Sequence, residues 1–225
     1  MGGGALESAL RDGADAPGLK LIETLLWDGA KCPRLALHQV RLARSAAALG
    51  WAEPADLSAL LAGLPVQAQR LRVTLDGAGA LVLECAPLPA AAKGEWRVGL
   101  AGVRLNSADP WLRHKTTSRA VYDQARAALP SGLDEVIFLN ERDEVCEGTI
   151  TTLFFDKGHG MRTPPLACGV LPGILRAELG VAEEVLQASE LPRVQLWVGN
   201  ALRGLMPATF FADKPEDEFP AKMPR

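Results

Sequence analysis

The chain has 225 residues, 48% of them hydrophobic, which is enough to bury a sizeable core as one large or two small domains. Its 24 basic and 27 acidic residues are dispersed without blocks and leave a net charge of -3 and a pI near 5.7, so no face is built for a polyanion and nucleic acid is not an expected partner. No stretch approaches the roughly 18 apolar residues of a membrane helix, and residues 1–19 lack a basic segment followed by an apolar run, so the expectation is a cytoplasmic protein with no membrane partner.

Residues 21–27 (LIETLLW) read as a strand, after which Asp28-Gly29 turns the chain toward a second short strand near Arg34-Leu35-Ala36. An alanine-rich helix follows over 37–49, with Gly50 placed to end it, and a shorter helix over 56–62. Strands at 71–75 and 80–84 flank Asp76-Gly77-Ala78-Gly79, a hairpin signal, so the first part of the chain reads as α+β. The segment 86–94, with two prolines and no apolar periodicity, has the composition of an exposed linker. The domain expectation is therefore a small N-terminal unit over 1–86, a linker over 87–94 and a larger C-terminal unit over 95–225. Within the second unit come a strand at 96–100, a helix over 117–129 with Val121, Ala125, Ala128 and Leu129 on one face, and strands at 136–139 and 149–155. Gly173 opens another helix, and 194–198 is a buried strand ending at Gly199-Asn200. Cys32, Cys85, Cys146 and Cys168 are far apart and no histidines cluster, so neither a metal site nor a disulfide framework is expected.

The chemistry-bearing residues are scattered among these elements. Lys115 lies in Leu112-Arg113-His114-Lys115-Thr116-Thr117-Ser118-Arg119, at a junction between an extended stretch and a helix, and a lysine held still and desolvated can form Schiff bases. Glu147, 32 positions later, ends an apolar β-rich stretch, where an uncompensated buried carboxylate would be costly. It is either a strand-end charge in water or an anion held against a cationic ring nitrogen. Leu171-Pro172-Gly173-Ile174-Leu175 looks like a loop entering a helix whose first free amides, at Ile174 and Leu175, could attract phosphate. Gly199-Asn200 after a buried strand, and Arg41 in His38-Gln39-Val40-Arg41-Leu42, are further candidate phosphate contacts, each also readable as plain surface polarity.

Taken in order, these runs resemble the class IV aminotransferase family, the fold-type-IV pyridoxal-phosphate enzymes, along nearly the whole chain. The matching segments are Leu21-Ile22-Glu23-Thr24, His38-x-x-Arg41-Leu42-x-x-Ser45, His114-Lys115-Thr116-Thr117, Glu147-Gly148-Thr149-x-x-x-Leu153-Phe154, Cys168-Gly169-Val170-Leu171-Pro172-Gly173 and Asn200-Ala201-Leu202-Arg203-Gly204. Within the family, Arg113 to Thr117 and the Asn-x-x-Arg-Gly run are most similar to the aminodeoxychorismate lyase branch, above all to the lyase domain found fused to aminodeoxychorismate synthase. The family usually carries asparagine just before the Leu-Phe pair, where this chain has Thr152.

The resemblance implies a two-domain α+β fold of the D-amino-acid aminotransferase type with pyridoxal 5'-phosphate between the domains, in a homodimer. It implies that Lys115 carries the cofactor and moves the substrate proton, that Glu147 pairs with the pyridine nitrogen, and that Arg41, the Ile174 and Leu175 amides and Asn200 hold the phosphate. The activity it implies is conversion of 4-amino-4-deoxychorismate to 4-aminobenzoate and pyruvate in folate synthesis, with the synthase as a partner to test. Two other readings are a branched-chain or D-amino-acid aminotransferase using the same lysine, and a non-catalytic binding subunit, against which the retention of both Lys115 and Glu147 argues.

Overall fold

The computed structural model describes residues 10–91 and 94–212; Ala92 and Lys93 of the expected linker, residues 1–9 and residues 213–225 lie outside it. The first sheet is an antiparallel three-stranded meander, β1 (Lys20–Trp27), β2 (Gln69–Asp76) and β3 (Leu81–Pro87), with Leu21 opposite Leu75 and Leu75 opposite Leu81. Asp76 accepts the amides of Ala78 and Ala80, which closes the β2–β3 hairpin at the turn read from Asp76-Gly77-Ala78-Gly79. Helix α1 (Leu35–Ala48) packs on this sheet, placing Leu42, Ala46 and Leu49 against Leu21, Leu25, Leu71 and Leu75.

The second sheet has eight strands: β4 (Trp96–Leu105), β5 (Glu135–Asn140), β6 (Val145–Gly148), β7 (Thr152–Asp156), β8 (Arg162–Thr163), β9 (Ala182–Glu183), β10 (Gln195–Asn200) and β11 (Gly204–Phe210). Their order is β10-β11-β4-β5-β6-β7-β8-β9, and β10 also pairs with β7, so six of them close into a ring. Inside lie Val98, Ile137, Val145, Leu153, Phe155 and Val198, which explains why these strands read as nearly continuous apolar runs. Two short helices, α2 (Ala120–Ala127) and α3 (Ile174–Leu179), flank the ring. No helix among the described residues is long and apolar enough to cross a membrane.

Four local expectations change. Arg34-Leu35-Ala36 is not a strand: Leu35 opens α1, because His38, Leu42 and Ala46 share the face that covers the sheet. The helix expected over 56–62 is a 3₁₀ segment, Leu57–Leu61, capped by the Asp56 carboxylate on the Ser58 amide. The helix expected from 117 starts only at Ala120, since Thr117 is spent on β1: its amide donates to Lys20 O at 2.9 Å and its hydroxyl accepts from Lys20 N at 3.0 Å. The strand expected over 149–155 is interrupted, with β6 ending at Gly148 and β7 beginning at Thr152.

Candidate active site

A cavity of about 350 Å³ opens between the two sheets, lined by Thr24 and Arg70 from the first, by Arg41 from α1 and by Glu147, Thr152 and Asn200 from the second, with Lys115 in its wall. The volume is within the range of small-molecule sites. Every residue expected to act together from the sequence, namely Arg41, Lys115, Glu147, Ile174, Leu175 and Asn200, borders this one cavity.

Lys115 is held by its backbone. Its carbonyl accepts from Ile22 N at 2.8 Å, and Leu21 bridges Thr116, so the loop carrying the lysine is stitched as an extra strand onto β1. Its ammonium is pushed down to about 8 from the usual 10.5, chiefly by desolvation and then by the cations Arg119 and Arg41. A lysine in that condition holds a usable fraction of free amine near neutral pH. The neighbouring His114 is driven to about 4 by burial and by Arg44 and Arg113, so it stays neutral, with Nδ1 3.0 Å from Ser45 Oγ.

Glu147, on β6, is only 6% exposed. The Tyr122 hydroxyl donates to its Oε1 at 2.8 Å and Leu171 N donates to its Oε2 at 3.1 Å. Burial still dominates and raises the carboxyl to about 7, against the pull of those two donors and of Lys115 and Arg119. A cationic partner would complete this site. Behind it, Glu135 is fully buried and receives the Thr149 hydroxyl at 2.6 Å, the Thr151 hydroxyl at 3.0 Å and Ile150 N at 3.2 Å, which is why the chain breaks from strand over 149–151 and curls along the cavity wall. A Cβ on Gly148 would come 2.8 Å from Glu135 Cδ, so glycine is required there.

Arg41 projects from α1 and is fixed by Glu23, which accepts its Nε at 2.8 Å and its Nη2 at 2.6 Å; Nη1 donates to Pro172 O at 3.3 Å. Of the five N–H groups of a guanidinium, two remain for a ligand. Glu23 also binds His38 Nδ1 at 2.5 Å, and this carboxyl is pulled down to about 2: burial alone would raise it, but Arg41 and His38 together outweigh that. Pro172 precedes α3, whose first amides at Ile174 and Leu175 have no acceptor within the helix. With six residues, α3 offers local donors rather than a long helix dipole. A Cβ on Gly173 would stand well inside contact distance of Thr152 Oγ1, so Thr152 packs directly against the entry to α3. Asn200 is more occupied than its sequence position suggests: its Oδ1 accepts from Leu202 N and Arg203 N, and its Nδ2 donates to Ile150 O at 3.2 Å, leaving one N–H for a ligand.

Glu23, His114, Arg119, Tyr122 and Glu135 were not singled out from the sequence. Tyr122 carried a usable signal, being the only tyrosine of the chain and placed beside Val121 on the face of a helix otherwise lined with alanine. Glu23 and His114 lie in the matching runs Leu21-Ile22-Glu23-Thr24 and His114-Lys115-Thr116-Thr117, which gave no role to either, and buried Glu135 carried no signal, since its partners are distant in sequence.

The family model for amino-transferase class IV matches residues 20–210, which spans both sheets and the cavity between them. A candidate aminodeoxychorismate lyase of Schizosaccharomyces pombe is 28% identical over 167 residues, covering 71% of this chain and 72% of that protein. Among solved structures, a candidate amino-acid aminotransferase from Mesorhizobium loti is 43% identical, covers 86% of this chain and 100% of its own, and superposes with a TM-score of 0.79. A candidate 4-amino-4-deoxychorismate lyase from Legionella pneumophila, 23% identical over 86% of this chain and 83% of its own, shares the fold with a TM-score of 0.75. The chain belongs to the class IV aminotransferase family, the fold-type-IV enzymes that depend on pyridoxal phosphate.

Proposed function

We propose that this enzyme is a 4-amino-4-deoxychorismate lyase acting in folate biosynthesis, with pyridoxal phosphate held in the cavity between the two sheets. The observation that carries the substrate class is charge. The cavity is lined by Arg41, Arg70, Arg119, Arg203 and Lys115 and by the carboxylates Asp109 and Glu147; Arg41 is paired with Glu23 and Arg119 with Asp123, whereas among the described residues neither Arg70 nor Arg203 is in an ion pair. With Arg41 given to the cofactor phosphate, the charge of Arg70 and Arg203 is left for the substrate to answer. A substrate with two carboxylates, such as aminodeoxychorismate, answers it; the alkyl side chain of leucine or D-alanine does not. The lyase relative in Schizosaccharomyces pombe supports the same reading.

The residues present fit the cofactor. A depressed lysine amine faces the cavity, a buried carboxyl is in no ion pair among the described residues, and an arginine with two spare N–H groups lies beside free helix amides. Arg41, the Ile174 and Leu175 amides and Asn200 would hold the cofactor's phosphate, Glu147 would accept from its ring nitrogen, and Lys115 would be the amine that carries it. Bound there, pyridoxal phosphate supplies an electron sink conjugated with the substrate amine. Lys115 Nζ would be the base that takes the proton from the amine-bearing ring carbon. Loss of that proton together with the enolpyruvyl carbon–oxygen bond would make the ring aromatic, and passing the proton on to the methylene carbon of the expelled enolpyruvate would balance the products, 4-aminobenzoate and pyruvate. Residues 1–86 and 95–225 would act as the two domains, in a homodimer, with a synthase as the source of substrate.

An aminotransferase is the second reading, favoured by the Mesorhizobium loti structure. The two differ in stoichiometry. With aminodeoxychorismate and no 2-oxo acid, the lyase yields 4-aminobenzoate over many turnovers. Conversion of one equivalent of cofactor to its pyridoxamine form by leucine or D-alanine, reversed by a 2-oxo acid, would select the aminotransferase.

A further inference from the structure

Glu147 has a dedicated hydrogen-bond donor that no family motif singles out. Tyr122 stands in the first turn of α2 with its ring edge-on to Phe138, centroids 5.0 Å apart, and with the Arg119 guanidinium 5.4 Å over its face. The ring is therefore wedged, and its hydroxyl donates to Glu147 Oε1 while Leu171 N donates to Oε2. One protein donor on each oxygen fixes the plane of the carboxylate and leaves lone pairs free toward the cavity that both residues line.

We propose that Tyr122 is a positioning residue of the reaction, whose hydroxyl keeps Glu147 ionised and oriented toward the ring nitrogen of the cofactor; this rests on the cofactor placement above, not on the choice between lyase and aminotransferase. The physical need is specific. A protonated Glu147 offers a hydroxyl where the pyridinium N–H needs an acceptor, and burial pushes toward that protonated form. Three groups besides Leu171 N oppose it: Tyr122 by hydrogen bond, Lys115 and Arg119 by charge. The Cys146 thiol beside it is itself raised above the usual range and stays neutral. Of these, Arg119 is tied to Asp123 and Thr149 O and Lys115 makes no hydrogen bond to Glu147 among the described contacts, so the phenol is the side-chain donor aimed at the carboxylate itself. It remains a donor throughout, because burial and the adjacent carboxylate push its own ionisation far above the usual tyrosine range.

The test follows the Glu147 carboxyl by infrared titration in protein stripped of cofactor, the band being identified by its loss in Glu147→Gln. Tyr122→Phe should move the midpoint upward by about 1 to 2 pH units, the ~10- to 100-fold change in proton affinity expected from losing a hydrogen bond to a charged group. Since Tyr122 is the only tyrosine, biosynthetic replacement by 3-fluorotyrosine alters this hydroxyl alone, and the stronger donor should move the midpoint down; this holds even if the phenylalanine variant does not fold. In the loaded enzyme, Tyr122→Phe should lower kcat with KM little changed, and should cost nothing further in a Glu147→Gln background. An unmoved midpoint, or losses that add in full in the double variant, would overturn the proposal. Failure of the lyase assay would leave the infrared result standing.

Discussion

The depressed ammonium of Lys115 makes a quantitative demand on how fast the cofactor attaches. At pH 7.5 a lysine with the usual value of 10.5 keeps about 0.1% of its amine free, whereas one at about 8 keeps about a quarter, a difference of about 240-fold in the reactive species. Only the free amine can add to an aldehyde. When stripped protein is mixed rapidly with pyridoxal phosphate between pH 6.5 and 9.5 and the visible band is followed, the rate should rise about tenfold per pH unit at first and flatten above pH 8. Arg119→Met should shift that bend upward, because Arg119 is the largest charge effect on Lys115 after desolvation. A rate that climbs with unit slope through pH 9.5 in the unmodified protein would mean an ordinary solvated lysine, and the reasoning from burial and neighbouring cations would be wrong.

Glu147→Gln should keep the cofactor bound while lowering turnover by about 10²-fold, the scale of losing one electrostatic stabiliser. It should also change how stability depends on pH without cofactor. The folded value of about 7 lies above the usual 4.5, so the native carboxyl holds its proton more tightly than the unfolded one, and stability present below pH 4.5 is lost as pH rises to 7. The glutamine variant should therefore gain on the parent by about 2–3 kcal/mol across that window in denaturant titrations, and parallel curves would count against the burial argument. Gly173→Ala should cost about 1–3 kcal/mol and loosen cofactor binding, because the added methyl collides with Thr152 Oγ1. Adding Thr152→Ala should restore both in thermal melts and equilibrium dialysis; no rescue would show that the glycine matters for another reason.

What could be read from the sequence was what depends on near neighbours. The β2–β3 hairpin declares itself through Asp76-Gly77-Ala78-Gly79, and α1 through an alanine-rich stretch ended by Gly50, which sits at a φ of 74°. The six candidate site residues were each a weak local signal that a resemblance along nearly the whole chain drew together, and they border one cavity. What escaped depended on partners far along the chain. Thr117 looked like the start of a helix because its bond to Lys20, 97 positions away, has no local trace. Residues 149–151 looked like strand because the buried Glu135 that bends them lies in another strand. Glu23 stands in a segment that matches the family, but that it is the group that aims Arg41, 18 positions on, has no local trace.

The account stands or falls on which lysine carries the cofactor. Borohydride reduction of the purified, loaded enzyme, followed by peptide mapping, should place a single pyridoxyl group on Lys115, within the segment that runs from Trp111 to Arg119. Labelling at Lys20, Lys31, Lys93 or Lys157 with Lys115 unmodified would contradict it.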